Sequence, residues 1–257
     1  MNAIQISEFK KYANVSLAIA KKNISLRYKN SIFGFLWGLI TPFVYILIFV
    51  IVFSKLVRMP NYPVYVISGI IFWTYFVSSV TQIIRSILDN AQILKSISVP
   101  TLVFPAAAIL ATLVNFLLSF VPYIVIMLFL GYSPGWELVG LIPLIALFSI
   151  FIFGVSIILC ALNIYFRDVE IIWQTVTPLL FYSTPIAYSI DAVATNYAWL
   201  LHLNPLTIYL TPARSILYHQ NWPDGMQWLL AFGLAFVSLA IGLYIYLRLK
   251  RGFYTNL

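Results

Sequence analysis

The side chains able to do chemistry are sparse in this 257-residue chain, and their spacing excludes more than it allows. His202 and His219 stand without metal-type neighbours at ligand spacing. No G-x-x-x-x-G-K-[ST] run offers a cradle for nucleotide phosphates, and no G-x-S-x-G marks a nucleophile elbow. Cys160, the one cysteine, lies in an apolar run and reads as core filler. No two carboxylates share a long apolar segment, which argues against proton or ion coupling. What remains is cationic. Arg27 and Lys29 precede an apolar run, and Arg85 and Lys95 bracket an amphipathic stretch. Arg167 and Asp168 open a short charged run, and Arg214 stands apart. Such groups suit phosphates, acidic sugars and lipid headgroups. With no energy source of its own, the chain either draws on another subunit or is passive.

Composition sets where these residues lie. Of the chain, 62% is hydrophobic and 9% charged, against roughly 25% charged in a soluble domain. Mean hydropathy is +0.97. A soluble enzyme, a disulfide scaffold and a disordered chain are all excluded, leaving an all-α polytopic membrane protein. Charge-free intervals place spans at about 33–54, 64–84, 103–130, 138–165, 172–190 and 226–247, because a mid-bilayer charge costs about 2.5–3.5 kcal/mol. Pro122 is a candidate kink in the third. The 192–224 stretch holds two prolines and several polar groups, and reads as re-entrant outer helices rather than a seventh span. The net charge of +8 is distributed unevenly. With six spans, Lys55, Arg58 and Arg214 are the only outer cations, and both basic termini lie in the cytoplasm. Residues 1–30 form a cytoplasmic amphipathic helix. Ile6, Phe9, Ala13, Leu17, Ala20 and Ile24 make one face of it, predicting a helix in the headgroup plane. The transmembrane domain is then 31–250, with a tail at 251–257.

Four stretches carry a family resemblance. R-Y-x-x-S-x-x-G-x-x-W-x-x-x-x-P runs from Arg27 to Pro42, and N-A-Q-I-L-K-S-I-S-V-P-T-L-V-F-P from Asn90 to Pro105. N-I-Y-F-R-D-V runs from Asn163 to Val169, and S-T-P-I-A-Y from Ser183 to Tyr188 is followed by N-P-L at Asn204. In order and topology they resemble the ABC-2 type permeases that export polysaccharides and polyol phosphates. The resemblance covers nearly the whole chain. It implies a homodimer, with a separate nucleotide-binding subunit on the cytoplasmic side. ATP and Mg would then be held by that subunit, with no cofactor or metal and no catalytic residue on this chain.

By that resemblance the 85–100 loop is the coupling element to the ATPase. Ile87, Leu88, Asp89, Ala91, Leu94 and Lys95 would be its contact residues, with Arg167 and Asp168 as a second contact. Arg27, Tyr28, Lys29, Ser31 and Trp37 would receive the lipid pyrophosphate. Aromatics make up 17% of the chain; Phe33, Phe72, Trp73, Tyr75, Phe76, Tyr182 and Tyr188 are candidates to line a glycan path. Asn204, Pro205 and Arg214 would form an outer gate. The expected function is outward movement of lipid-linked polysaccharide across the bacterial inner membrane, O-antigen first. Capsule and teichoic acid are alternatives within the family; a membrane glycosyltransferase or a passive channel are alternatives outside it. Nucleic acid is not an expected partner.

Overall fold

The computed structural model describes residues 3–28, 60–96, 99–129, 131, 135–189 and 203–253, and isolated positions between 37 and 52 and at 199 and 201. Within these residues the elements are helical. Helix α1 is Ala3–Tyr28, α2 is Tyr62–Arg85, α3 is Ala91–Ser96 and α4 is Val103–Phe129. A 3-10 turn, Trp136–Gly140, leads into α5, Leu141–Tyr165. Helix α6 is Asp168–Ser183, α7 is Pro205–Leu217 and α8 is Gly225–Leu249. Among the described residues, four stretches are long and apolar enough to cross a membrane: Tyr62–Arg85, Val103–Phe129, Trp136–Tyr165 and Gly225–Gly252. These match expected spans two, three, four and six. Pro122 sits inside α4. Most of the first expected span falls outside the described residues; of its described positions, Phe43, Val44, Leu47, Ile48, Ile51 and Val52 are helical and exposed.

The fifth expected span, 172–190, is shorter than expected. Helix α6 begins at Asp168 and ends at Ser183, so its length is about 24 Å against a hydrocarbon core of roughly 30 Å. The cause is Pro185, which disfavours helical backbone at the residue before it. Thr184 accordingly turns extended, with φ −104° and ψ 131°.

Two apolar clusters stack along the bundle. One joins α2, α4, α5, α7 and α8 around Phe72, Phe116, Phe148, Tyr209 and Ala231. The other gathers Ile83, Ile87, Leu94, Ala107, Cys160, Ile164, Tyr246 and Phe253 with Ile19 and Ala20 of α1. Helix α8 lies closest on α5, where glycines remove the steric barrier. A Cβ on Gly154 would stand 2.5 Å from the backbone of Ser238, and one on Gly242 would overlap the Gly154 carbonyl. Backbones that approach this closely gain dispersion contact that lipid cannot match.

Helix α1 packs on α4, but not by the whole face expected from periodicity. Ser16, Ile19 and Ala20 are buried, whereas Leu17 is 56% exposed. Small side chains at 16 and 20 let the helix seat against the alanine-rich start of α4, Ala107, Ala108 and Ala111. Leu17 is left on the outer side.

Candidate functional site

Two polar regions lie at opposite ends of the bundle. The first is built where α2 stops. Ser86 Oγ donates to the Ile83 carbonyl at 2.7 Å, and Asn90 Nδ2 donates to the Ser86 carbonyl at 2.8 Å. These bonds satisfy backbone groups freed at the helix end and fold residues 86–90 into tight turns. Helix α3 follows, and Ile87 (0% exposed) and Leu94 (3%) turn into the core beneath it. The outward residues are Arg85, Asp89, Gln92, Lys95 and Ser96. The expected contact surface is therefore divided: Ile87 and Leu94 are its foundation, Leu88 and Ala91 are half-buried, and Asp89 and Lys95 face out. The apolar side chains turn inward because Ile83, Cys160 and Ile164 offer them a ready cluster.

Arg85 ties this loop to the next one. Its Nη1 donates to Glu170 Oε1 at 3.1 Å, and its Nε lies 3.7 Å from Asp89. Glu170 and Asp168 occupy the first turn of α6, where carboxylates also favour the helix dipole. Trp173 of the same helix donates through Nε1 to Thr81 Oγ1 of α2 at 2.9 Å. Arg167 and Asp168 are exposed beside this joint. Next to Arg85 opens a cavity of about 580 Å³ lined by Lys22, Asn23, Thr81, Gln82, Arg85, Ser86, Asp89, Asn90 and Ala108. Sequence reasoning missed this cavity, although Lys22 and Arg85 fall on the same side of the membrane in the expected topology. Arg27 and Tyr28 are the last residues of α1, and Trp37 is 48% exposed. Lys29, Ser31 and Phe33 lie outside the described residues.

The second region is at the other end. Asn204 caps α7, its side chain accepting from the Leu206 N–H at 3.0 Å, with Pro205 at the first helical position. Its Nδ2 donates to the Ser183 carbonyl and to Thr184 Oγ1. Arg214 is buried, donates from Nη2 to the Ile186 carbonyl at 2.8 Å, and lies 3.8 Å over the Tyr65 ring. Tyr62 and Tyr65 donate to the carbonyls of Ala187 and Tyr188. The non-helical backbone after α6 is thus satisfied by protein groups, the condition under which irregular chain persists at membrane depth. Arg214 serves here as an internal strut rather than an exposed anion contact.

The aromatic residues separate by burial. Phe72, Tyr75 and Phe76 are core residues, 1–5% exposed. Tyr75 stacks on Phe116 at 4.3 Å, and Phe76 meets Trp173 edge-on at 5.7 Å. Within one copy of the chain these three rings pack against other aromatics rather than facing an open surface. Trp73 and Tyr188 are half-buried, and Tyr182 is 76% exposed. Among the described residues no cluster of metal-ligating side chains occurs.

The sequence matches the ABC-2 type transporter membrane family over residues 15–218. The chain belongs to that family: it is the permease subunit of an ABC-2 exporter and a multi-pass protein of the cytoplasmic membrane, and ATP is handled by a separate ATP-binding subunit. It is similar to an "O-antigen export system permease protein RfbA" of Klebsiella pneumoniae, at 34% identity over 92% of both chains. A second Klebsiella pneumoniae protein of the same name is 33% identical over the same shares. One from Myxococcus xanthus is 29% identical over 85% of this chain and 86% of its own.

Proposed function

We propose that this permease moves a lipid-linked polysaccharide of the O-antigen type outward. The observation that carries this is the similarity, over nearly the whole length, to permeases named for O-antigen export. In this reading the Arg85 end faces the cytoplasm and the Arg214 end faces outward. Both termini are cytoplasmic, six spans cross the membrane, and α1 lies at the inner headgroups. Side-chain contacts support that arrangement. Tyr165 Oη donates to the Leu249 carbonyl, and Tyr246 Oη pairs with Thr101 Oγ1, joining segments assigned to the inside. Tyr218 Oη donates to the Pro60 carbonyl, and Trp136 stacks on Trp222, joining segments assigned to the outside.

Two copies pair around a shared path. The ATPase subunit presses on the outward residues of α3, chiefly Gln92 and Lys95, with Arg167 and Asp168 beside them. The Arg85–Glu170 bond passes the movement to α6. Helix α6 leads directly to the broken segment at Thr184–Tyr188, so a push at one end reaches the strut at the other. The pyrophosphate is received at the C-terminal end of α1, near Arg27 and Tyr28, and of the described candidates Trp73, Tyr182 and Tyr188 are the aromatics left to meet sugar. Co-purification is the test. A tagged chain expressed with the ATPase encoded beside it should retain that subunit and export glycan on ATP hydrolysis. Isolation of the permease alone, with export that does not require ATP, overturns the reading.

A further inference from the structure

We infer that the cavity beside Arg85 is a binding site for a phosphate-bearing lipid headgroup, and that its occupancy is felt by the coupling loop. Three observations converge. The first is chemistry. Lys22 and Arg85 bring two cations to one cavity and Asn23 and Gln82 bring amides, while Ser86, Asn90 and Thr81 of the lining already bond within the protein. Among the described residues of the lining the one carboxylate, Asp89, is already drawn to Arg85 at 3.7 Å. No ion pair or hydrogen bond is formed by the side chains of Lys22 or Gln82 among the described residues. A phosphate would gain charge-assisted bonds from groups that now spend none on the protein.

The second observation is depth. Thr81, Gln82 and Arg85 form the last turn of an apolar helix of 24 residues, so the cavity lies at the end of a span. That is where lipid phosphates reside. Its volume of about 580 Å³ is in the range of sites that enclose a small ligand, roughly 300–1,000 Å³. The third is connection. Arg85 is shared between the cavity, Asp89 of the loop and Glu170 of α6. A phosphate arriving beside Arg85 competes with both carboxylates for one guanidinium. Binding therefore changes the ties that hold the coupling loop to α6.

The same chemistry is offered by an annular phospholipid and by the diphosphate of a lipid-linked glycan. The inference rests on the proposed orientation, and the experiment separates the two. The full complex with its ATPase subunit is purified and its bound lipids are counted by native mass spectrometry. The probes are a polyprenyl diphosphate, phosphatidylglycerol and phosphate-free dioleoylglycerol. Lys22→Gln combined with Gln82→Leu should lower retention of a phosphate-bearing probe by about tenfold or more, and Arg251→Gln, outside the lining, should not. A fall for the diphosphate alone assigns the site to the glycan carrier, and a fall for phosphatidylglycerol alone assigns it to membrane lipid. Unchanged retention of both, or an equal fall for dioleoylglycerol, overturns the site. In parallel, Lys95→Cys is treated with a membrane-impermeant maleimide, the native Cys160 being fully buried. Labelling from outside the cell would refute the orientation, independently of the lipid counts.

Discussion

Arg214 shows how a side chain suited to anions is instead used by the protein. It is buried, its guanidinium lies over the Tyr65 ring, and one of its N–H groups holds the Ile186 carbonyl. Arg214→Met should leave that carbonyl without its partner, costing about 1–3 kcal/mol. A lower melting temperature in detergent, together with faster proteolysis after Ser183, would show it. Arg214→Lys keeps the charge but loses the planar stacking surface, so it should fall between the two. Equal stability of all three proteins would contradict the strut. Asn204 works in the same place by a different route, capping α7 while holding the end of α6. The sequence marks both residues as unusual in an apolar stretch. It does not say that their partners are backbone carbonyls of the chain itself, because Ile186 lies 28 positions from Arg214.

At the level of elements, the proposed coupling loop and the α5–α8 crossing carry the clearest consequences. Replacing Leu88 and Leu94 by aspartate tests docking poorly, because Leu94 is 3% exposed and its loss would damage the core first. Gln92→Glu with Lys95→Glu alters only the outward side of α3. This pair should abolish ATPase co-purification while leaving the melting temperature within about a degree or two, since exposed charges contribute little to stability. Glu170→Gln should leave assembly intact but lower glycan exported per ATP, as measured in proteoliposomes, because the tie between loop and α6 is weakened. The α5–α8 contact admits no such tolerance. Gly242→Leu must displace the Gly154 backbone, and should destabilise the fold by several kcal/mol, near the upper range for overpacking. Gly154 and Gly242 lie on different helices, so no local spacing in the sequence pairs them.

For the whole molecule, the distribution of exposed apolar side chains is informative. Helix α8 exposes Leu229, Phe232, Phe236, Val237 and Ile241, and α6 exposes Ile171, Ile172, Leu179 and Tyr182. Such surfaces require lipid or a second protein, and two copies with two ATPase subunits would cover part of them. The mass of the purified complex should therefore correspond to two permeases and two ATPases; a stable one-to-one particle that exports glycan would argue against a path shared between copies. The position of four long apolar segments and the absence of an ATP-binding motif followed from the chain as written. Insertion into lipid depends on hydrophobicity summed over about 20 neighbouring residues, and that sum is local. Which apolar face meets protein is not local. Lipid is as apolar as leucine, so periodicity alone cannot tell a lipid-facing stripe from a packed one. Only the tertiary arrangement turned Ser16 and Ala20 inward and Leu17 out, buried Phe72, Tyr75 and Phe76 as core, and brought Lys22 to the same cavity as Arg85. Shape complementarity between distant helices made each of those choices, and it is settled only when the helices meet.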